Sequence, residues 1–242
     1  MTIKVNEWGF SNPVYSPLYP APPLYWVDFQ VQMVLYETNI SNIEKLLPYP
    51  LEPNGNQVIT WISNEPFTNQ GSGQEAAIYV QARYKDYVGV YEPFLYVSTE
   101  IPLAGGREIW GYCKKMANIS LHFEKEQVRG EVERVRTKIM KCLCIREVPA
   151  KLEELPFGPI FSVKVIPGAA EDEPPLRQLV LTEAEVTAKE GMFYKGKGSV
   201  DYERSEIDPT YILEPERVIA GYYGVLSFVL PFGKIIYRYE DV

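Results

Sequence analysis

Two adjacent lysines, Lys114 and Lys115, follow the segment Glu100-Ile-Pro-Leu-Ala-Gly-Gly-Arg-Glu-Ile-Trp-Gly-Tyr-Cys113. An amine in water is protonated at neutral pH and does not attack a carbonyl. Apolar surroundings or a second cation favour the neutral form, which is a Schiff-base nucleophile. The same pair at the end of a helix would complement the helix dipole and face water. Residue counts narrow the other options. His122 is the only histidine, so a histidine-rich metal site is excluded, and any Ser-His-Asp triad or Cys-His dyad would have to use it. In Ser120-Leu121-His122-Phe123 it alternates with apolar neighbours, which predicts a solvent-facing strand position. Cys113, Cys142 and Cys144 cannot build a structural zinc site alone. Chemistry must rest on lysine, carboxylate and tyrosine, with no metal and no cofactor expected.

These residues need a scaffold, and composition suggests its type. The chain has 242 residues, 46% apolar, 23% charged and 13% aromatic, with 18 tyrosines. That excludes disorder and favours strands. A formal charge of -8 argues against nucleic acid or an anionic membrane as partner. No apolar run approaches membrane length. An odd number of cysteines without disulfide spacing suits a reducing cytoplasm, and Cys142 and Cys144 would share one side of a strand.

Pattern then supplies the elements. Residues 11–25 are proline-rich and read as an extended surface segment. Strands are predicted over 28–36, 58–62, 76–83, 94–99, 119–125, 127–137, 139–147, 161–166 and 178–188. Ser41-Asn42-Ile43-Glu44 reads as a capping box opening a helix that Pro48 and Pro50 end. A second helix is predicted from Gly106 to Met116, with Ile109, Tyr112, Cys113 and Met116 on one apolar face. Residues 171–175 form an acidic loop, and 214–220 one or two helical turns. Residues 225–230 and 234–239 read as a closing hairpin around Pro231-Phe232-Gly233. With no repeat or linker, residues 1–242 are expected to form a single β-rich α+β domain with a few short helices, a barrel or sandwich.

Gly105-Gly106-Arg107-Glu108-Ile109-Trp110-Gly111-Tyr112-Cys113-Lys114-Lys115 resembles the Gly-Arg-Glu-(Leu/Ile)-x-Gly-(Phe/Tyr)-Pro-Lys-Lys signature of the acetoacetate decarboxylase family. Residues 19–23, 36–38 and 46–52 resemble the family's first third, 161–167 its Lys-(Ile/Val)-Ile-Pro strand, and 230–239 its closing strand. The resemblance implies a conical antiparallel β-barrel holding the lysine inside. It matches Lys114 to the Schiff-base lysine and Lys115 to its neighbour; the family is itself the standing example of a lysine activated beside a second cation. Lys115 would keep Lys114 neutral, or orient the segment through hydrogen bonds. Glu75 falls at the spacing of a family glutamate implicated in acid–base steps; the alternative is a water-exposed turn residue. Arg107 and Glu108 recur in the signature and read as support, through an ion pair or helix-start contacts.

Departures from the family are also informative. Phe29 stands where the family has an arginine, Trp61 (or Thr60, depending on register) where it has a second glutamate, and Cys113 where it has proline. Phe29, Trp61, Tyr112 and Cys113 are therefore expected to contact a substrate flatter, larger and more apolar than acetoacetate. Cys113 is either a thiol activated by its cationic neighbour or a packed, inert one. The resemblance implies a Schiff-base lyase that decarboxylates a β-keto acid, as a homo-oligomer. The same iminium would also serve aldol, dehydration or cyclisation chemistry on a polyketide-like substrate. A non-catalytic binding barrel is the rival.

Overall fold

Residues 31–36 and 58–63 are buried without alternation, the mark of strands covered on both faces. The computed structural model, which describes residues 3–239, shows what covers them. The first six strands are β1 (Leu24–Glu37), β2 (Glu52–Glu65), β3 (Phe67–Thr68), β4 (Gly73–Tyr84), β5 (Tyr87–Val97) and β6 (Lys115–Met116). With β10 (Val148–Pro149), β11 (Ile160–Ile166), β12 (Leu176–Thr182), β13 (Glu185–Gly196), β15 (Arg217–Leu230) and β16 (Lys234–Arg238) they form one 12-stranded sheet. The remaining strands, β7 (Asn118–Glu124), β8 (Gln127–Arg134), β9 (Thr137–Ile145) and β14 (Gly198–Asp201), form a second sheet. The described residues add two α-helices, α1 (Ile40–Leu46) and α2 (Glu100–Gly105), and a few short 3-10 and π turns to this mostly β fold.

The large sheet runs β10-β13-β15-β1-β2-β4-β5-β11-β12-β16, with β3 beside β1 and β6 beside β5. Pairing is antiparallel except for β11 and β6, which run parallel to β5. This path has two ends among the described residues. Strands along the path nevertheless share one core, because Phe29, Trp61, Tyr79, Leu95, Ile160, Val180, Phe193 and Leu226 belong to a single apolar cluster. The opposite face packs Val34, Val58, Ile62, Ile78 and Tyr96 against Val132, Met140 and Cys142 of the small sheet.

Several elements differ from the sequence expectation. The helix expected over 106–116 is instead α2, which runs into a π-helical turn (Gly106–Trp110). Gly111 ends it at φ 84, the left-handed region that glycine adopts without strain. A Cβ there would collide with the Lys164 backbone. Residues 112–114 belong to no helix or strand, so Tyr112 and Met116 share no helix face; Tyr112 is buried and Met116 exposed. Asn39, not Ser41, caps α1 by accepting from the Ser41 amide at 2.9 Å. The strand expected over 178–188 is split between β12 and β13. Residues 217–220 start β15, and the short helical turn precedes them at Thr210–Leu213. The closing hairpin is absent, because β16 pairs with β12 and β15 lies between β1 and β13. His122 is exposed, Glu171–Pro175 contains no strand or helix, and Cys142 and Cys144 are both buried on β9.

Candidate functional site

Strand alternation fixes which side chains reach the interior. On β2, Ile59 and Trp61 join the interior cluster, while Val58 and Ile62 face the small sheet. Thr60 hydroxyl accepts from the Val34 amide at 3.1 Å, so Trp61 and not Thr60 faces the cavity. The same phase places Ser63 and Glu65 inward. On β4 it brings Glu75 and Tyr79 to the cavity wall.

Glu92 reaches the cavity by a different route. The β4–β5 register jumps from Ile78↔Phe94 to Val80↔Tyr91, so Glu92 and Pro93 together oppose Tyr79. Such a bulge re-aims side chains, and Pro93, with no amide hydrogen, suits the unpaired position.

Lys114 arrives from the loop after the π turn. The amides of Gly111 and Tyr112 both donate to Gly106 O, at 3.1 and 3.0 Å, and Arg107 Nη1 donates to Lys114 O at 3.2 Å. A Cβ on Gly106 would lie 2.8 Å from both Lys114 Cδ and Cε, so this glycine leaves room for the lysine stem. Lys114 is 6% exposed. Its Nζ donates to Glu75 Oε2 at 2.7 Å and lies 5.9 Å from the centre of the Tyr112 ring. Glu75 is therefore a partly buried ion-pair partner on β4 rather than a turn residue.

The other two carboxyls are bound differently. Glu65 Oε1 accepts from Ser63 Oγ at 2.7 Å and Oε2 from Trp26 Nε1 at 2.8 Å. Glu92 Oε2 has no partner. One cation thus meets three carboxyls in the cavity wall, more negative charge than a buried site can hold ionised. Burial, with the Glu75 charge second, pushes Glu65 up to about 7 and Glu92 up to about 8. For Lys114 burial alone favours the neutral amine, but Glu75, then Glu65 and Glu92, outweigh it and raise the ammonium above its usual range. This corrects the expectation that burial and Lys115 keep Lys114 neutral.

Lys115 points the other way. Burial alternates from Tyr112 to Lys115, and the Lys115 Nζ donates to Asp208 Oδ1 at 2.7 Å and Ile207 O at 3.2 Å, outside the cavity. Cys113 also leaves the cavity wall: its Sγ donates to Glu92 O at 3.1 Å, and burial pushes its thiol up to about 12. Arg107 and Glu108 do not pair with each other; Glu108 accepts from the Tyr19 hydroxyl. Phe29, Trp61 and Tyr112 all line the cavity, with Phe29 and Trp61 ring centres 5.7 Å apart and Phe157 edge-on to Trp61 and Tyr79.

Comparison with known proteins decides the family. The acetoacetate decarboxylase (ADC) family model matches residues 11–240. The chain belongs to the acetoacetate decarboxylase family. The acetoacetate decarboxylase of Burkholderia ambifaria is 27% identical over 247 residues, covering 97% of each chain. Among solved structures, acetoacetate decarboxylase from Legionella pneumophila shares the fold at TM-score 0.86 and 24% identity over 99% of both chains. Enduracididine biosynthesis enzyme MppR, complexed with the condensation product of pyruvate and imidazole 4-carboxaldehyde, shares it at TM-score 0.80 and 18% identity over 96% of this chain and 97% of that one. Within this acetoacetate decarboxylase fold, the lysine block and Glu75 were legible in sequence, whereas Glu65 and Glu92 were not singled out. Two signals mark them: Glu65 is in phase with Trp61, and Glu92 precedes a proline inside a strand.

Proposed function

We propose that the chain is a Schiff-base lyase in which Lys114 attacks a ketone and the resulting iminium withdraws electrons from an adjacent carbon–carbon bond. One observation carries this reading: a buried lysine, 2.7 Å from a carboxylate, opens onto an aromatic cavity. The pair carries the means of activation. In a dry site the neutral acid and amine compete with the ion pair, so a substrate that expels water moves the proton from Lys114 to Glu75 and frees the nucleophile. Glu75 then holds a proton for the carbinolamine hydroxyl, which leaves as water.

Loss of carbon dioxide from a β-keto acid, with an apolar body larger than acetoacetate, is the simplest reaction of that iminium. Phe29 and Trp61 supply flat surface for such a body. Aldol-type or cyclising chemistry is the second reading. It is favoured by the lining, where Lys114 is the one cationic side chain among the described residues, and by the fold shared with MppR and its condensation product. We read the chain as one domain, a barrel-like homo-oligomer acting in the cytoplasm; its three cysteines are free, and no helix among the described residues is long and apolar enough to cross a membrane.

Borohydride reduction with a panel of β-keto and α-keto acids, followed by peptide mapping, tests the reading. The adduct is expected on the Lys114 peptide and should vanish in Lys114→Ala. Labelling confined to Lys115 or to surface lysines would sink it. Phe29→Arg should raise acetoacetate decarboxylation roughly tenfold if a lost charged hydrogen bond is what limits it. Efficient wild-type turnover of acetoacetate would show instead that a larger body is not required.

A further inference from the structure

Three polar side-chain atoms around the cavity have neither a hydrogen-bond partner nor contact with water: Glu92 Oε2, Trp61 Nε1 and Tyr112 Oη. Native interiors leave few polar groups unpaired, and each calls for an explanation. The neighbouring Glu65 shows the contrast, with both oxygens occupied. Tyr112 stands near the reacting amine, its ring centre 5.9 Å from Lys114 Nζ, and the other two lie further along the wall. Trp61 pairs with Ala77 and Glu92 sits opposite Tyr79, one and two pleats along β4 from Glu75. One pleat is about 7 Å, the length of a ring or a short conjugated chain.

We propose that this end of the cavity recognises a neutral oxygen, a hydroxyl or carbonyl, on the apolar body of the keto substrate. Trp61 Nε1 donates to that oxygen, and Glu92 and Tyr112 complete its hydrogen bonds. The inference rests on the imine reading, since the ketone must sit at Lys114 for the body to reach this end. An apolar tail would leave all three groups unpaired. A substrate ammonium could pair with Glu92, but it offers nothing to the donor-only Trp61 N–H. A carboxylate would meet no second cation among the described residues of the lining. Glu92 gauges the penalty in place, since burial and the Glu75 charge push its own carboxyl up to about 8.

The test uses 4-arylbut-3-en-2-ones bearing a para hydroxyl, methyl, carboxylate or aminomethyl group. Calorimetric binding to Lys114→Ala reads recognition without imine formation, and borohydride labelling of wild-type Lys114 reads the imine. The hydroxyl compound should bind about tenfold or more tightly than the methyl compound, and more tightly than the two charged ones. Trp61→Phe should bring the hydroxyl-to-methyl ratio close to one. Glu92→Gln, which still donates and accepts, should keep most of the preference, and Glu92→Leu should remove it. Equal binding of hydroxyl and methyl compounds, preference for a charged one, or an unchanged ratio in Trp61→Phe would overturn the inference. Hydroxyl preference in Lys114→Ala with no adduct on wild-type Lys114 would overturn the imine reading alone; adducts without preference would do the reverse.

Discussion

Among the described residues charge is buried in two places, and the two are treated differently. At Asp208, 1% exposed on its side chain, both oxygens are occupied: Oδ1 accepts from Lys115 at 2.7 Å and from Tyr96 at 3.3 Å, and Oδ2 from Arg134 at 2.8 Å. Both cations keep part of their surface in water. This node ties β6, β8 and β5 to the segment before β15, and it is saturated. In the cavity one lysine faces three carboxyls, one of them with an unpaired oxygen. A saturated node gives structure. An unsaturated one stores reactivity, because its protons can move when a ligand arrives.

The largest test of that contrast is Glu75→Gln. Removing the proton acceptor from Lys114 while keeping its shape should slow imine formation roughly 10²–10⁴-fold with the fold intact. An unchanged rate would put the acid–base work elsewhere. At the saturated node the effect should fall on stability. Asp208→Ala strands two cations that still reach water, so about 2–3 kcal/mol of unfolding free energy should be lost, with turnover of the folded protein within about threefold. A catalytic defect without destabilisation would erase the distinction between the two nodes.

The pH dependence sharpens it further. Glu65 and Glu92 hold protons in the folded state that the unfolded chain releases near pH 4.5. The native state therefore binds more protons across the interval from about 4.5 to 8, and stability falls as pH rises through it. The slope is up to about 1.4 kcal/mol per pH unit for each proton retained. Denaturant melts between pH 5 and 8 should show this decline, and Glu92→Gln should flatten its upper part. Stability rising over that range would mean the carboxyls are not held protonated. Smallest of all is Lys115→Gln, a half-exposed partner of Asp208 outside the cavity. It should cost less than about 1 kcal/mol and change the imine-forming rate by less than about threefold.

The sequence carried the strand-rich fold well, since β propensity and proline placement act locally. Its failures share a cause. Helical spacing of Ile109, Tyr112, Cys113 and Met116 was mistaken for a helix because Gly111 resets the chain at φ 84, and the residues beyond it alternate instead. The same alternation sends Lys114 inward and Lys115 outward, so the adjacent cations do not act together. Glu65 and Glu92 escaped because a lone glutamate on a strand ordinarily faces water. Glu65 shows its side only through its phase with Trp61, and Glu92 through the bulge that sets it and Pro93 opposite Tyr79.

The three thiols also have a practical consequence. Burial pushes Cys113, Cys142 and Cys144 each up to about 12, and thiolate is the form that maleimides and other electrophiles consume. Native cysteines should stay silent toward such reagents while the protein is folded. A single cysteine engineered on an exposed strand, at His122 for instance, would then be the one site a dye or spin label finds. The background needed for distance measurements across the two sheets is already in place, without a cysteine-free parent having to be built.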